Sequence, residues 1–174
     1  QVADFLADER VGFVPIIKSG STPMAAVTVE QPTGKRTGFY HLGVFADLTV
    51  NDVAKINFNP ASKFLLIDGH NFACSQFLMK KARSQGLTIL LDLGSYKKQA
   101  EELIPLADVG FVPEAFRQAI APGQDPAQVA KKLQKNGPKI CCVTLGEKGS
   151  YIAGDGQVFH QPAVKVKAID TNGA

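Results

Sequence analysis

Residues 64–92 read FLLIDGHNFACSQFLMKKARSQGLTILLD, and this stretch decides the fold class. Its two apolar runs, 64–67 and 88–91, have the length and composition of buried β-strands. Between them an apolar stripe at helical spacing predicts a helix over 72–84, which ends just before Gly86, a typical C-terminal glycine. The members of the stripe are Phe72, Phe77, Leu78 and Ala82. The segment therefore predicts a strand, a helix and a second strand.

The same alternation continues as far as residue 145. Further strands are predicted at 109–112 and 140–145, and further helices at 97–106, 114–121 and 125–135. The last of these helices begins at Asp125-Pro126, an acidic N-cap followed by proline in the first helical position. Alternating helices and apolar strands are typical of a parallel sheet covered on both faces. The expected fold is therefore α/β, a three-layer α/β/α arrangement around a mostly parallel central sheet.

Two segments interrupt this alternation and predict β-hairpins. Residues 24–30 alternate apolar and polar side chains like a half-exposed strand, and residues 36–42 form the return strand. This first hairpin, which with its flanks covers about 20–43, lies outside the helix-covered sheet. Residues 150–160 predict the second hairpin, because two short strands flank the turn sequence Gly154-Asp155-Gly156.

Composition and charge exclude several functional classes. Apolar residues make up 45% of the 174 residues and charged residues 20%, which is ordinary for a folded globular protein. The net charge of +3 is small and evenly spread, which argues against nucleic acid as a partner. No apolar run approaches the roughly 20 residues that a membrane-spanning helix needs, so no membrane partner is expected.

The cysteines and the chain start indicate the compartment. Cys74, Cys141 and Cys142 are an odd, sparse set without metal-binding spacing, which favours reduced thiols in the cytoplasm and argues against zinc. The first ten residues lack the layout of a signal peptide and read as the end of a helix. Because no initiator methionine is present, the sequence is expected to lack its natural N-terminus.

Polar residues follow three of the predicted parallel strands. They are Asp68-Gly69-His70, Asp92 and Thr144-Leu145-Gly146. Ligands of open α/β sheets bind beyond the carboxyl ends of the strands, so these residues are candidates for a binding site. Aspartate and glycine are also ordinary turn residues, and for each strand end this alternative stays open.

The strongest functional signal lies in the last third of the chain. A strand ends in Thr144-Leu145-Gly146-Glu147-Lys148-Gly149, which places a hydroxyl and closely approachable backbone where phosphate oxygens could lie. About two dozen residues later, Asp170-Thr171-Asn172-Gly173-Ala174 suggests a tight turn into a helix, whose first amides bind anions. The first motif alone is equally well a strand-end turn; the two together favour a nucleotide site.

This combination resembles the nucleotide-binding half of carbohydrate kinases of the ribokinase (PfkB) family. The resemblance implies ATP as phosphoryl donor, Mg²⁺ as cofactor and K⁺ as a further candidate ion, with Asp170 at the monovalent-cation position. It implies nucleotide contacts from Thr144, Gly146, Lys148 and Gly149, although Lys148 is equally well a solvated turn charge. Gly173 and Ala174 would begin the anion hole that stabilises the phosphoryl group in transfer. The family's catalytic aspartate would fall two positions after Ala174.

Two further stretches carry the resemblance. The run Asp68-Gly69-His70-Asn71 resembles the ketohexokinase-like branch, which implies Asp68 and His70 in the substrate and phosphate region. Residues 106–114 resemble the strand that leads to the family's Asn-x-x-Glu motif, which orders magnesium. Here Pro113 and Phe116 stand at the Asn and Glu positions, so Glu114 is the remaining candidate for a metal role. A helix N-terminal acid favoured by the helix dipole is its alternative interpretation.

The resemblance covers most of the chain and implies one partial kinase domain, 1–174, cut at both ends. The first hairpin would be a lid that closes over a sugar substrate and allows homodimerisation. The implied function is ATP-dependent phosphorylation of a sugar hydroxyl, with fructose-like, ribose-like and nucleoside acceptors all open. The 174-residue chain itself is expected to be inactive. A catalytically inactive nucleotide- or sugar-binding regulator is the alternative; a dinucleotide-binding domain is disfavoured because no Gly-x-Gly-x-x-Gly follows a strand.

Overall fold

A computed structural model describes residues 2–31, 33–34, 36–44 and 46–167. The chain forms two compact units, one made of residues 1–47 and 167–174 and the other of residues 48–166. Among the helices of the described residues, none combines the length and the apolar character needed to cross a membrane.

The larger unit is built on one six-stranded sheet. Its strands are β3 (Phe64–Ile67), β4 (Thr88–Asp92), β5 (Val109–Pro113), β6 (Ile140–Thr144), β7 (Ser150–Gly154) and β8 (Gln157–Gln161), and they lie in this order across the sheet. Strands β3 to β6 are parallel, whereas β7 and β8 are antiparallel to their neighbours. The α/β fold with a mostly parallel central sheet is thus confirmed.

Helix α2 (Val50–Ala54) precedes β3, and helical segments connect the parallel strands. The connecting segments are α3 (Phe72–Ser84), a 3₁₀ helix (Lys98–Leu106), α4 (Glu114–Ile120) and α5 (Pro126–Lys135). Helix α5 begins as predicted, because the Asp125 side chain accepts a hydrogen bond from the amide of Ala127 and proline occupies the first turn. The helix predicted over 97–106 is present at Lys98–Leu106 as a 3₁₀ helix. Pro105 lies inside this segment, where it has no N–H to donate and its ring disfavours continued α-helical geometry.

The helices cover one face of the sheet. The strand residues of this face are under 9% exposed and form the core with the helices; they include Ile67, Ile89, Leu91, Val112 and Val143. On the opposite face, Leu66, Leu90, Val109 and Ile140 lie side by side in one row across the strands and are half-buried or exposed. Cys142, on that same opposite face, is 6% exposed.

Helix α3 turns a different stripe toward the core than its apolar pattern predicts. Its buried residues are Cys74, Ser75, Met79 and Ala82. Phe72 and Leu78 pack at the margin of the core, and Phe77 is half-buried. The buried stripe thus contains three small side chains besides Met79, and the aromatic side chains lie at its flanks.

The smaller unit contains α1 (Val2–Asp8) and a two-stranded antiparallel hairpin, β1 (Met24–Val29) and β2 (Arg36–His41). The register sets Ala25 opposite Tyr40 and Ala26 opposite Phe39. Within the hairpin, apolar side chains remain exposed, with Phe39 at 61% and Tyr40 at 72%. An open groove of about 460 Å³ runs beside these side chains.

Candidate active site

The carboxyl ends of β3 to β6 lie at one edge of the sheet, because these four strands are parallel. Asp68 follows β3, Leu93-Gly94 follows β4, Glu114 follows β5, and Leu145-Gly146 follows β6. This edge therefore gathers most of the described candidate residues, as expected for an open α/β sheet. The group after β3 and the group after β6 are three strand positions apart, about 14 Å at the usual strand spacing.

Asp68 and His70 form a pair at the end of β3. The carboxylate accepts a hydrogen bond from the His70 amide at 3.0 Å, and its second oxygen lies 3.1 Å from Nδ1 of the ring. Both side chains are 71% exposed, so the pair faces solvent. Gly69 between them has φ +73°, and a Cβ there would lie 2.7 Å from Leu93 Cδ2. The positive φ favours glycine at this turn, and a side chain there would also have to displace the Leu93 methyl group just after β4.

The space beside this pair is small. Its walls come from the ends of β3 and β4, namely Asp68, Gly69, His70, Leu93, Gly94, Ser95, Lys97 and Ala100. The cavity has a volume of about 10 Å³, which is room for about one water molecule. Within the larger unit, Asp68 and His70 thus border a closed edge pocket and present their polar atoms outward.

The four nucleotide-site candidates after β6 form one compact loop. Thr144 ends the strand with its side chain exposed, and a short 3₁₀ turn covers Gly146–Lys148. The loop closes on itself, since Leu145 N donates to Gly149 O at 2.8 Å and Gly149 N donates to Gly146 O at 2.9 Å. These bonds fix the backbone in the geometry that a tight strand-to-hairpin turn requires.

The two glycines of this loop differ in the space around their Cβ positions. At Gly149, where φ is +84°, a Cβ would collide with the main-chain oxygen of Gln161 in β8. At Gly146, where φ is +58°, no described atom lies within 4 Å of the Cβ position. Gly149 is thus needed by the fold, whereas Gly146 leaves an open approach to the backbone. Such an approach is what a phosphate or ribose group needs in order to reach main-chain amides.

His160 also contacts this loop, and no sequence pattern predicted this contact. Its Nε2 lies 3.0 Å from the carbonyl oxygen of Lys148. The pattern could not reveal this contact, because it depends on the register of the β7–β8 hairpin, which brings residues twelve positions apart together.

The start of α4 differs from a metal-binding motif. Phe116, at the position where the resemblance would place an acid, is fully buried and packs edge-on against Tyr96 at 5.3 Å. Glu114 lies 3.5 Å from Arg117 Nη2. Arg117 is only 4% exposed and donates to Gln124 O at 2.7 Å, while its Nε has no hydrogen-bond partner among the described residues. Glu114 is therefore the acidic side chain at this junction that could bind a cation, and its ion pair with Arg117 would compete with that binding.

No group of three or more His, Cys, Asp or Glu side chains in the described residues could hold a metal ion on its own. A hydrated Mg²⁺ held largely by substrate phosphates needs only one or two protein carboxylates, and Asp68 and Glu114 at this edge fit that requirement. Asp170, Gly173 and Ala174, the candidates for the cation site and the anion hole, lie outside the described residues.

The buried thiols are not nucleophiles. Burial raises the pKa of the Cys141 thiol to about 12, with a smaller contribution from the neighbouring Cys142. Burial also raises the pKa of Cys142, partly offset by a hydrogen bond with Ser150. Because the thiolate is the reactive form, neither cysteine supplies covalent catalysis near neutral pH.

Comparisons with known proteins agree with this geometry. The profile of the family described as pfkB family carbohydrate kinase matches residues 1–174. A ribokinase of Staphylococcus aureus (strain COL) is 30% identical over 99% of the chain, and the chain spans 61% of that relative. The adenosine kinase structure from Sinorhizobium meliloti has a TM-score of 0.78 at 18% identity, covering 97% of this chain and 56% of that one.

A structure of a putative ribokinase II from E. coli in complex with ATP and Mg²⁺ has a TM-score of 0.72 at 16% identity. The match covers 95% of this chain and 58% of that chain. The chain therefore spans somewhat less than two thirds of the length of these relatives. The sheet, the placement of the polar strand ends and the family match over residues 1–174 together show that the chain belongs to the pfkB family of carbohydrate kinases.

Proposed function

We propose that the protein to which this chain belongs transfers the γ-phosphoryl group of ATP to a hydroxyl group of a sugar or riboside. The observation that carries the proposal is the loop Thr144–Gly149, which lies at the ligand-binding edge of the sheet with an open backbone at Gly146. The family match and the ATP and Mg²⁺ of the E. coli relative support the same donor and cofactor.

In this proposal the loop binds the phosphate chain of the nucleotide. The exposed Thr144 hydroxyl donates to a phosphate oxygen, and Gly146 lets the nucleotide approach main-chain amides. Lys148 adds a positive charge, and Gly149 fixes the turn. Because the loop is already closed by internal hydrogen bonds, it loses little conformational entropy when the nucleotide binds.

The acidic side chains of the same edge act on the metal side of the reaction. Mg²⁺ bound with the nucleotide would supply charge neutralisation during phosphoryl transfer. Asp68 and Glu114 are the carboxylates that would help to hold it, and His70 would orient the Asp68 carboxylate through the 3.1 Å contact. Asp170 contributes to a K⁺ site, and Gly173 and Ala174 begin the anion hole.

We propose that the acceptor belongs to the carbohydrate class. The Asp68-Gly69-His70-Asn71 run favours a ketohexose acceptor, as in the ketohexokinase-like branch. The ribokinase and adenosine kinase relatives favour ribose and ribosides.

We further propose that the β1–β2 hairpin is a lid over the sugar within one kinase domain. Its exposed Phe39 and Tyr40 are the surface for pairing with a second protomer. We also propose a cytoplasmic location, which the free cysteines and the use of ATP support.

The test is ATP turnover by full-length protein with a panel of ketohexoses, aldopentoses and ribosides, in the presence of Mg²⁺ and K⁺. Turnover with one acceptor class establishes the proposal and names the acceptor. Nucleotide binding in a thermal-shift assay without turnover of any acceptor would overturn it in favour of a regulatory protein.

A further inference from the structure

His160 lies at the junction between the candidate nucleotide loop and the hydrophobic core. It belongs to β8 and is paired with Tyr151 of β7 in the antiparallel register. The two rings are 4.6 Å apart between centroids and tilted by 32°. Tyr151 is half-buried and packs against the core, so its ring gives His160 a supported position although the imidazole itself is exposed.

The His160 imidazole contacts the loop at the main-chain carbonyl of Lys148. Its Nε2 lies 3.0 Å from Lys148 O, and a carbonyl oxygen only accepts, so Nε2 carries the proton and donates. The next residue, Gly149, packs directly against Gln161 O of the same strand. Two consecutive loop residues are therefore tied to two consecutive residues of β8, one by a hydrogen bond and one by close packing.

We propose that His160 is a positioning residue that fixes the Thr144–Gly149 loop in its nucleotide-binding conformation; this inference rests on the proposed function. The connection runs from the core through the Tyr151 ring to the His160 imidazole and on to Lys148 O. Without it, the carbonyl of Lys148 loses its contact with β8, and the 3₁₀ turn at Gly146–Lys148 keeps only its internal hydrogen bonds and the packing of Gly149 against Gln161. A loop that must be ordered by the nucleotide binds it more weakly, since the ordering entropy is then lost on binding.

Two substitutions of His160 test its hydrogen-bond donor and its aromatic ring separately. His160→Gln keeps an N–H near the position of Nε2 and loses the aromatic ring. His160→Phe keeps a ring against Tyr151 and loses the donor. Gln157→Leu, at the other end of β8 and opposite Gly154, is the matched control, because it changes an exposed polar residue of the same strand away from the loop.

The experiment uses full-length protein and two readouts. The first is KM for ATP and for the acceptor, with kcat. The second is amide hydrogen–deuterium exchange of residues 144–149 without nucleotide. His160→Phe should raise KM for ATP about two- to tenfold, the loss expected for one net hydrogen bond, and should speed exchange in the loop. KM for the acceptor should stay within about twofold, as should all parameters of Gln157→Leu. His160→Gln should recover most of the ATP affinity.

Three results would overturn the inference. Unchanged KM for ATP and unchanged loop exchange in His160→Phe would show that the hydrogen bond does not hold the loop. Equal rises in KM for ATP in all three variants would indicate a general loss of hairpin stability. A wild-type protein that binds no ATP would overturn the kinase assignment and the positioning role with it, and the exchange data would still report whether His160 orders the loop.

Discussion

A Cβ atom on Gly149 would collide with the main-chain oxygen of Gln161, so strand β8 itself excludes a side chain at the end of the candidate nucleotide loop. The backbone at Gly149, with φ 84° and ψ −140°, also lies in a region that essentially only glycine occupies. Gly149→Ala should therefore lower the free energy of unfolding by about 2–4 kcal/mol, from strain and from displacement of β8. Urea denaturation measures this loss, and a change below about 0.5 kcal/mol would contradict the close packing.

Gly146→Ala should destabilise the fold less than Gly149→Ala does and should weaken ATP binding more. With φ +58° and open space around the Cβ position, alanine costs only the left-handed backbone penalty, about 1–2 kcal/mol. The added methyl group would, however, stand where the nucleotide approaches the main chain. In the full-length protein KM for ATP should rise about tenfold or more, corresponding to about 1.4 kcal/mol of binding free energy. If ATP binds the variant as tightly as the wild type, the nucleotide does not contact this loop from the open side.

The contrast between these glycines shows what the sequence could and could not predict. Apolar runs such as 64–67 and glycines after them predicted the strands, their order along the chain and the ligand-binding edge, because these signals are local. The spacing Thr-x-Gly-x-x-Gly likewise predicted a loop. The difference between Gly146 and Gly149 depends on where β8 lies, and the His160 contact depends on hairpin register. Non-local geometry of this kind leaves no periodic trace in the sequence.

The same limit applies to the helices. The segment 97–106 was predicted as a helix, and it forms a 3₁₀ helix with Pro105 inside it. In α3 the large residues Phe72 and Phe77 suggested the buried stripe, whereas the buried residues include Cys74 and Ser75. The Cys74 thiol contacts the carbonyl oxygen of Leu48, 26 positions away, and the helical pattern alone does not reveal such a contact.

Cys141 predicts a loss of stability at high pH. Its pKa is about 12 in the folded protein against an ordinary value of 9.0, so the raised value means that the folded state keeps the proton longer. Below pH 9 the thiol is protonated in both states and contributes no pH dependence. Between pH 9 and pH 12 only the unfolded state releases the proton, so the free energy of unfolding should fall by up to about 1.4 kcal/mol per pH unit.

The measurement compares urea denaturation of the wild type and of Cys141→Ala between pH 8 and pH 10.5. The variant should be less stable at pH 8, because a buried side chain is shortened, but its stability should fall less steeply above pH 9. Parallel pH profiles for the two proteins would show that the Cys141 thiol does not remain protonated in the fold.

The half-exposed face of the sheet predicts self-association of the 174-residue protein. Leu66 is 66% exposed, whereas its neighbour Ile67 is 8% exposed on the opposite face. Exposed apolar faces of this kind attract a second copy or another apolar surface. Leu66→Gln should leave the free energy of unfolding within about 0.5 kcal/mol and reduce the associated fraction in sedimentation velocity. Ile67→Gln, the matched control, should destabilise by about 2–4 kcal/mol. Association unaffected by Leu66→Gln would place the contact elsewhere.

The resemblance to PfkB kinases places a metal-ordering acid at the position of Phe116, and substitutions there test whether an acid can be accommodated. Its side chain is fully buried and its ring packs edge-on against Tyr96, so the site has become part of the core. Phe116→Leu should lower the free energy of unfolding by about 1–2 kcal/mol. Phe116→Glu should lower it by about 4 kcal/mol or more, because it places a carboxylate at a fully buried position while the neighbouring Arg117 already pairs with Glu114. Thermal unfolding measures both. If Phe116→Glu folds stably and lowers the Mg²⁺ concentration for half-maximal turnover of the full-length protein, the position is accessible to the metal site after all.

Glu114→Gln, by contrast, should raise the Mg²⁺ concentration for half-maximal turnover without a comparable loss of stability.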